Sequence, residues 1–167
     1  MKTPGFGFER PNEGATNTWL TPPEIIRALG EFDLDPCAAE NQPWPTAKAH
    51  YTEAEDGLIQ PWFGRVWLNP PYGPHLVKWL SRMATHGHGT AFLFARTETA
   101  AFHDYVWPKA TAFLFLRGRV FFHRPDGTPA GSPGAPSLLI AYGHSDAEAL
   151  RKSGIRGRFV SLFSEVA

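Results

Sequence analysis

The sequence of 167 residues contains a single cysteine, Cys37, and this scarcity excludes several kinds of site. One thiol cannot form an internal disulfide, and it makes a thiolate metal site implausible. No apolar run approaches the roughly 18 residues that a membrane-spanning helix needs, and residues 1–5 form no apolar signal region. We therefore expect a soluble, cytoplasmic protein with one globular domain of the common size.

Several signatures of cofactor and catalytic chemistry are also missing. No Gly-x-Gly-x-x-Gly segment occurs, so a dinucleotide cofactor is not supported. No Gly-x-Ser-x-Gly segment marks a serine nucleophile. None of the seven histidines forms a ligand-spaced pair on a predicted helix, and we expect no metal site.

The formal net charge is zero, which argues against a protein whose whole surface binds nucleic acid. The charge is nevertheless uneven along the chain. Residues 1–75 contain five Lys or Arg and ten Asp or Glu, whereas residues 76–167 contain eleven and six. The asymmetry suggests a cationic or hydroxyl-rich ligand near the acidic half and a polyanion near the basic half, unless folding mixes the two.

Predicted strands and helices alternate along most of the chain, after a Gly-, Pro- and Asn-rich start at residues 1–16 that is predicted to be a flexible arm. Thr21 is predicted to cap one helix and Thr97 another. Residues 120–123 and 136–142 are predicted to pair as two strands. The alternation implies an α/β protein whose mainly parallel central sheet carries helices on both faces.

The tetrapeptide Asn69-Pro70-Pro71-Tyr72 follows residues 65–68, which are predicted to form a short buried strand. Open α/β sheets bind ligands at the carboxyl ends of their strands, where Asn69 would lie. The two prolines stiffen the turn and leave its carbonyls available as acceptors. The Asn69 side-chain oxygen and the Pro70 carbonyl would accept both hydrogens of an exocyclic amine while Tyr72 stacks on its ring. The tetrapeptide thus predicts a pocket for an extruded nucleobase that is methylated on its amino group; the alternative is an ordinary turn after a strand.

Two acidic turns precede this tetrapeptide. Asp35 follows the first predicted strand and is followed by Pro36, Cys37 and Ala38, whose small side chains let a cofactor approach the backbone. Asp56 lies in an Asp-Gly turn and is a candidate acceptor for an adenine amino group. Each segment taken alone is also typical of a plain structural turn.

Basic and aromatic residues are interleaved in the second half of the chain, at Arg117, Arg119, Phe121, Phe122 and Arg124. This pattern suits a nucleic-acid strand with an unstacked base. The alternative is that Phe121 belongs to the core and the arginines are only solvated.

Six segments in order along residues 17–142 resemble the phage-type DNA N6-adenine methyltransferases, the Dam-like family. They are Trp19-x-Thr21-Pro22, Leu34-Asp35-Pro36-Cys37-Ala38, Asp56-Gly57-Leu58, Asn69-Pro70-Pro71-Tyr72, Ala95-Arg96-Thr97-x-Thr99 and Arg117-Gly118-Arg119-x-x-Phe122. The resemblance implies a Rossmann-like S-adenosylmethionine-dependent methyltransferase fold, with its sheet closed by a reversed strand. It also implies that the methyl acceptor is adenine in DNA.

The same resemblance implies roles for individual residues. Those that would bind and orient the flipped adenine are Asn69, Pro70, Pro71 and Tyr72. Those that would line the S-adenosylmethionine site are Thr21, Asp35, Pro36, Cys37, Ala38 and Asp56. Those that would contact DNA or the flipped base are Arg96, Arg117, Arg119 and Phe122, joined by Arg124 of the basic cluster.

The chain departs from the wider methyltransferase pattern in two ways. Many aminomethyltransferases have a glycine-rich loop where this chain has Asp-Pro-Cys-Ala, and no insertion forms a separate target-recognition domain. Residues 17–167 would then be a single methyltransferase domain whose specificity comes from loops such as residues 124–134. The alternatives are methylation of cytosine N4, of RNA or of a glutamine side chain, and a catalytically silent nucleic-acid-binding module of the same fold.

Overall fold

The computed structural model describes residues 18–131 and 133–163, so the predicted flexible arm at residues 1–16 lies outside the described part. Seven strands occur in it: β1 Leu34–Asp35, β2 Ala49–His50, β3 Val66–Leu68, β4 Gly89–Phe94, β5 Ala112–Leu116, β6 Ser137–Tyr142 and β7 Gly157–Ser161. They form one sheet in the order β2-β1-β3-β4-β6-β5-β7.

Four helices cover the two faces of this sheet: α1 Pro23–Leu29, α2 Leu76–His86, α3 Ala100–Tyr105 and α4 His144–Lys152. Helices α2 and α3 pack on one face, and α1 and α4 contribute apolar side chains to the core of the other. The chain is therefore an α/β protein with helices on both faces. No helix within residues 18–131 and 133–163 has the length and apolarity needed to cross a membrane.

The alternation of side chains along the strands divides the core in two. In β3, Val66 and Leu68 belong to the core under α2 and α3, whereas Trp67 between them belongs to the core under α1 and α4. All three side chains are fully buried. Burying a large apolar side chain contributes about 1.5–3 kcal/mol, so this strand anchors both helical layers at once.

The expectation of a mainly parallel sheet is wrong. Strands β2, β1, β3 and β4 pair in parallel, but β6 is antiparallel to both β4 and β5, and β7 is antiparallel to β5. The reason lies in the connections: α2 and α3 return the chain in the same direction before β4 and β5, whereas no helix separates β5 from β6. Strand β6 therefore lies between β4 and β5 and runs in the opposite direction to both. Helix α4 connects β6 to β7, so β7 runs in the same direction as β6.

Three local predictions also fail. Residues 120–123 form no strand with residues 136–142, because β6 already pairs on both edges and His123 instead bridges to Leu20 and Pro129. Thr21 does not cap α1, whose N-cap is Pro22. Thr97 does not cap α3 either, since the Thr99 side chain accepts the Phe102 N–H there.

Candidate functional site

A cleft of about 1200 Å³ opens at the carboxyl ends of β1, β3 and β4. The predicted cofactor residues, the Asn-Pro-Pro-Tyr tetrapeptide and Phe122 all line it: Thr21, Asp35, Pro36, Cys37, Ala38, Asp56, Asn69, Pro70, Pro71, Tyr72 and Phe122. They meet because β1, β3 and β4 are parallel neighbours, so the turns that follow these strands lie at one sheet edge.

The side-chain amide of Asn69 is held in one orientation. Its Nδ2 donates to the Trp19 carbonyl at 3.0 Å and to the Thr21 hydroxyl at 3.2 Å. The Oδ1 atom has no hydrogen-bond partner among the described residues. Because both amide hydrogens are bound to the protein, Asn69 presents an acceptor, and not a donor, to a ligand in the cleft.

The Tyr72 side chain packs against the carboxyl end of β4 and accepts a backbone hydrogen bond there. Strand β4 continues three residues beyond Ala91, the last position paired with β3, so the Phe94 N–H lacks a strand partner on that side. The Tyr72 hydroxyl accepts this N–H at 2.7 Å, and the two rings stack with centroids 4.6 Å apart and planes 12° apart. Desolvation raises the pKa of Tyr72, which stays a neutral phenol, and the residue as a whole is 39% exposed.

Phe122 extends this aromatic wall. Its ring stacks on Phe92 at 5.2 Å and meets the edge of Phe94 at 6.4 Å. The wall therefore offers flat apolar surface in the cleft that Asn69 also lines, on which a planar ring can stack.

Asp35 is a buried carboxylate on the cofactor side of the cleft, with only 3% of its surface exposed. It accepts the Cys37 N–H at 3.1 Å and a hydrogen bond from the Thr46 hydroxyl. Desolvation raises the pKa of Asp35 to about 6, and these two hydrogen bonds oppose the rise. The group is thus a carboxylate at neutral pH that forms no ion pair within the described residues.

Cys37 links the two halves of the cleft. Its thiol donates to the backbone carbonyl of Asn69 at 3.2 Å. Burial raises the pKa of the Cys37 thiol well above its ordinary value, and the Asp35 carboxylate adds to the rise. The residue is therefore a neutral hydrogen-bond donor that ties the Asp35 turn to the tetrapeptide.

The two acidic turns touch through Gly57. A β-carbon at this position would lie 1.8 Å from the Pro36 carbonyl oxygen, so only glycine permits the contact. The neighbouring Asp56 is exposed, and its carboxylate accepts the Leu58 N–H at 3.1 Å. The Asp-Gly turn therefore has two roles. Gly57 packs against the Pro36 carbonyl, and Asp56 supplies a carboxylate to the cleft.

The lining of the cleft collects acidic residues from the first half of the chain. Four carboxylates line it, together with a lysine and a histidine: Asp35, Glu40, Glu53, Asp56, Lys78 and His75. The uneven charge along the sequence therefore becomes an acidic wall in space. Within residues 18–131 and 133–163, no group of three His, Cys, Asp or Glu side chains can hold a metal ion.

The four predicted DNA-binding arginines lie outside the cleft lining. Arg96 is exposed and borders a small cavity beside Tyr72. Arg117 and Arg119 are exposed after β5, which ends at the same sheet edge as β4. The Arg124 guanidinium donates to the Pro129 carbonyl at 2.9 Å, so this side chain closes its own loop.

Sequence reasoning missed several residues that shape this region. Arg156 is exposed beside Arg117, whose backbone N–H donates to the Arg156 carbonyl at 2.9 Å. Thr46 and Gly57 support the Asp35 turn, and Phe94 supports Tyr72. Only Gly57 could have been recognised from its local sequence, because it follows Asp56 in an Asp-Gly turn. The other residues reach the site through contacts with residues distant in sequence, which the local sequence does not show. Phe121 is 54% exposed, so the reading that placed it in the core is wrong.

Comparison with known proteins identifies the family. The sequence model of the family described as DNA N-6-adenine-methyltransferase (Dam) matches residues 11–143, which include the tetrapeptide, both acidic turns and Phe122. No curated protein and no solved structure matches the chain. On this match over most of its length, the chain belongs to the DNA N-6-adenine-methyltransferase (Dam) family.

Proposed function

We propose that the protein transfers a methyl group from S-adenosylmethionine to N6 of an adenine in DNA, after the adenine has rotated out of the duplex into the cleft. The observation that carries this proposal is the state of Asn69. Both of its amide hydrogens are bound by Trp19 and Thr21, which leaves Oδ1 as an acceptor beside the Tyr72 ring. A planar ligand with an N–H donor satisfies that oxygen.

The acceptor half of the cleft suits an amino group on an aromatic ring. An exocyclic amine carries two hydrogens, which Asn69 Oδ1 and the Pro70 carbonyl would accept. An amino nitrogen that accepts a methyl group gains positive charge, which these two oxygens would stabilise without moving until the nitrogen releases one proton. Stacking on Tyr72 contributes about 1–3 kcal/mol, which offsets the few kcal/mol that extrusion of a base costs.

The cofactor half of the cleft fits S-adenosylmethionine in size and charge. Small-molecule pockets commonly have volumes of about 300–1000 Å³, so a cleft of about 1200 Å³ has room for a cofactor and part of a second ligand. Its four carboxylates suit a cation that carries amino and hydroxyl groups. When bound, S-adenosylmethionine supplies a methyl group activated by a positively charged sulfur.

The residues of this half would act as follows. Asp35 places negative charge behind the cofactor site, and Asp56 would accept a hydrogen bond from the cofactor's adenine amino group. Pro36, Cys37 and Ala38 form the floor between Asp35 and the tetrapeptide. Thr21 would act through Asn69, because its hydroxyl accepts one of the Asn69 amide hydrogens.

The DNA backbone would lie along the sheet edge outside the cleft. Arg117 and Arg119 are exposed at the end of β5, and Arg156 is exposed beside them. Contacts between such side chains and phosphates give affinity without sequence preference. Because these arginines lie on the sheet edge that also carries Asn69, they would hold a duplex so that one of its strands lies above the cleft.

The test compares wild-type protein with Asn69→Ala, using labelled S-adenosylmethionine, unmethylated DNA and analysis of the product nucleosides. We expect wild type to produce N6-methyldeoxyadenosine and the variant to lose about 100-fold or more in rate, as expected when a preorganised polar contact is removed. Both proteins should still gain thermal stability from the cofactor.

A matched control is Asn41→Gly, which removes an exposed asparagine outside the cleft lining at a φ of 53° that glycine accepts. It should methylate DNA at the wild-type rate. Methyl incorporation by Asn69→Ala at the wild-type rate would overturn the role of Asn69, and N4-methylcytosine as the product would overturn the assignment to adenine.

A further inference from the structure

Trp44 is an aromatic residue in the loop between β1 and β2, and its indole contacts the segment that orients Asn69. Its Nε1–H donates to the Thr21 carbonyl at 3.0 Å. The Thr21 hydroxyl in turn accepts an amide hydrogen of Asn69 at 3.2 Å. Trp44 is not among the residues that line the cleft. Its contact with the acceptor site is therefore indirect and passes through Thr21.

Residues 19–21, which accept both Asn69 amide hydrogens, are fixed by two other parts of the chain. The Leu20 N–H donates to the His123 carbonyl at 2.8 Å, and the Leu20 carbonyl accepts the His123 N–H at 3.0 Å. These two bonds fix the middle of the segment, whereas the bond from Trp44 fixes its carboxyl end. Removal of the Trp44 donor would therefore free the end of the segment whose hydroxyl binds Asn69.

The conformation of the loop that carries Trp44 is restricted. Two prolines flank this residue, and each proline restricts its own φ and the conformation of the residue before it. Within the same loop, the Gln42 side chain donates to the Thr46 hydroxyl at 3.1 Å. The indole also meets the His123 ring edge-on, with centroids 5.2 Å apart and planes at 86°. The loop and this aromatic contact together place the indole N–H at the Thr21 carbonyl.

We propose that Trp44 is a positioning residue for methyl transfer, because its indole N–H holds Thr21 where the Thr21 hydroxyl keeps the Asn69 oxygen turned toward the acceptor base. This inference rests on the proposed function. A side-chain amide can present either an acceptor or a donor to the cleft, and the bonds made by its Nδ2 atom decide which one it presents. Loss of the Trp44 donor weakens one of these bonds, so the amide would turn its donor toward the cleft for part of the time. A donor cannot accept a hydrogen from an amino group.

The experiment compares wild type with Trp44→Phe, which keeps an aromatic ring beside His123 and removes the N–H donor. The single-turnover rate of methyl transfer to duplex DNA should fall about tenfold or more, because small displacements at a reacting centre are costly. The KM for S-adenosylmethionine should stay within about twofold of wild type, since the hydrogen bonds to Asp35 are unchanged. General disorder of the loop would raise this KM as well, because Gln42 and Thr46 line the cleft.

A second comparison tests whether Trp44 acts through Thr21. Thr21→Val removes the hydroxyl that accepts from Asn69 and leaves the backbone carbonyl in place. Residues that act along one path show non-additive effects, so Trp44→Phe should slow the Thr21→Val protein much less than it slows wild type. Losses that multiply independently would overturn this path.

The matched control is Trp107→Phe, the same substitution at an indole whose Nε1–H donates to the Thr97 carbonyl at 3.2 Å, outside the cleft lining. It should leave both the rate and the KM at wild-type values. A wild-type rate for Trp44→Phe would overturn the role of Trp44. A rise in the cofactor KM as large as the fall in rate would do the same, because it would show a structural role for the whole loop.

A spectroscopic measurement separates failure of this inference from failure of the proposed function. The side-chain amide resonances of Asn69 in an NMR spectrum can be assigned from their absence in Asn69→Ala. They should shift in Trp44→Phe and stay in place in Trp107→Phe, whether or not the protein methylates DNA. Unchanged resonances in Trp44→Phe would overturn the inference, whereas a wild-type protein that transfers no methyl group to DNA would overturn the proposed function.

Discussion

Replacing Asp35 by asparagine should change how the stability of the ligand-free protein depends on pH. The carboxyl group is buried, and its pKa is raised from 3.8 to about 6 because desolvation disfavours the charged form. The folded protein therefore binds a proton at Asp35 more tightly than the unfolded chain does. This group stabilises the fold as the pH falls from about 7 towards 4, and it costs stability above that window.

The size of the effect follows from the two pKa values. One pKa unit corresponds to about 1.4 kcal/mol, so ionising Asp35 in the folded state costs about 3 kcal/mol at neutral pH. Lowering the pH from 7 to 5 recovers about 1.3 kcal/mol of this. For a domain of this size the recovery corresponds to about 3–5 °C in melting temperature.

The assay compares melting temperatures of wild type and Asp35→Asn at pH 7 and pH 5. The asparagine can keep both hydrogen bonds, accepting from Cys37 and donating to Thr46, so the variant should be at least as stable as wild type at pH 7. It should lack the part of the pH response that Asp35 supplies and gain less stability from S-adenosylmethionine. Parallel pH profiles for the two proteins would refute the reasoning.

A second buried carboxylate, Asp146, supplies a control, because its replacement by asparagine should lower the melting temperature. Asp146 is fully buried at the other edge of the sheet, where Oδ1 accepts from Arg65 Nε at 2.6 Å. Breaking a buried ion pair costs about 3–5 kcal/mol because the remaining charge is left unbalanced. Asp146→Asn should therefore lower the melting temperature at both pH values, whereas Asp35→Asn should not.

Three further substitutions test the site. Tyr72→Phe keeps the stacked ring but leaves the Phe94 N–H without its acceptor, so chemical denaturation should show a loss of about 1–3 kcal/mol and methyl transfer should slow; unchanged stability would contradict this. Gly57→Ala should abolish stabilisation by S-adenosylmethionine, because its β-carbon would collide with the neighbouring Asp-Pro turn; a wild-type thermal shift would refute the contact. Arg117→Ala should reduce the slope of log affinity for DNA against log salt by about one, whereas Arg151→Ala, a surface arginine ion-paired on α4, should leave it unchanged.

Elements defined by local patterns were predicted well. Strand β3 occupies Val66–Leu68, within the short buried strand predicted for residues 65–68. The family was also predicted correctly, because its six motifs are short segments whose order is visible in the chain. Local hydrophobic periodicity and turn residues suffice for such features.

Predictions that depended on pairing between distant segments failed. The resemblance implied one reversed strand, but the apolar sequence of residues 137–142 is compatible with either strand direction and does not show that β6 inserts between β4 and β5. Residues 120–123 have the composition of a strand, but their hydrogen bonds go to Leu20 and the neighbouring loop. The partner of a strand depends on whether a helix connects it to the preceding strand and on which neighbouring strand has an unpaired edge. Local composition shows neither.

The sequence by itself determined the α/β class, through the alternation of predicted strands and helices, and it determined the family and eleven of the residues that line the cleft, through short motifs. Only the tertiary structure decided how those residues are prepared for chemistry. The orientation of Asn69 depends on Trp19 and Thr21, about fifty residues earlier, and the raised pKa of Asp35 depends on burial by the whole fold. Hydrogen-bond direction and desolvation arise from contacts between distant segments, so they exist only once the chain has folded.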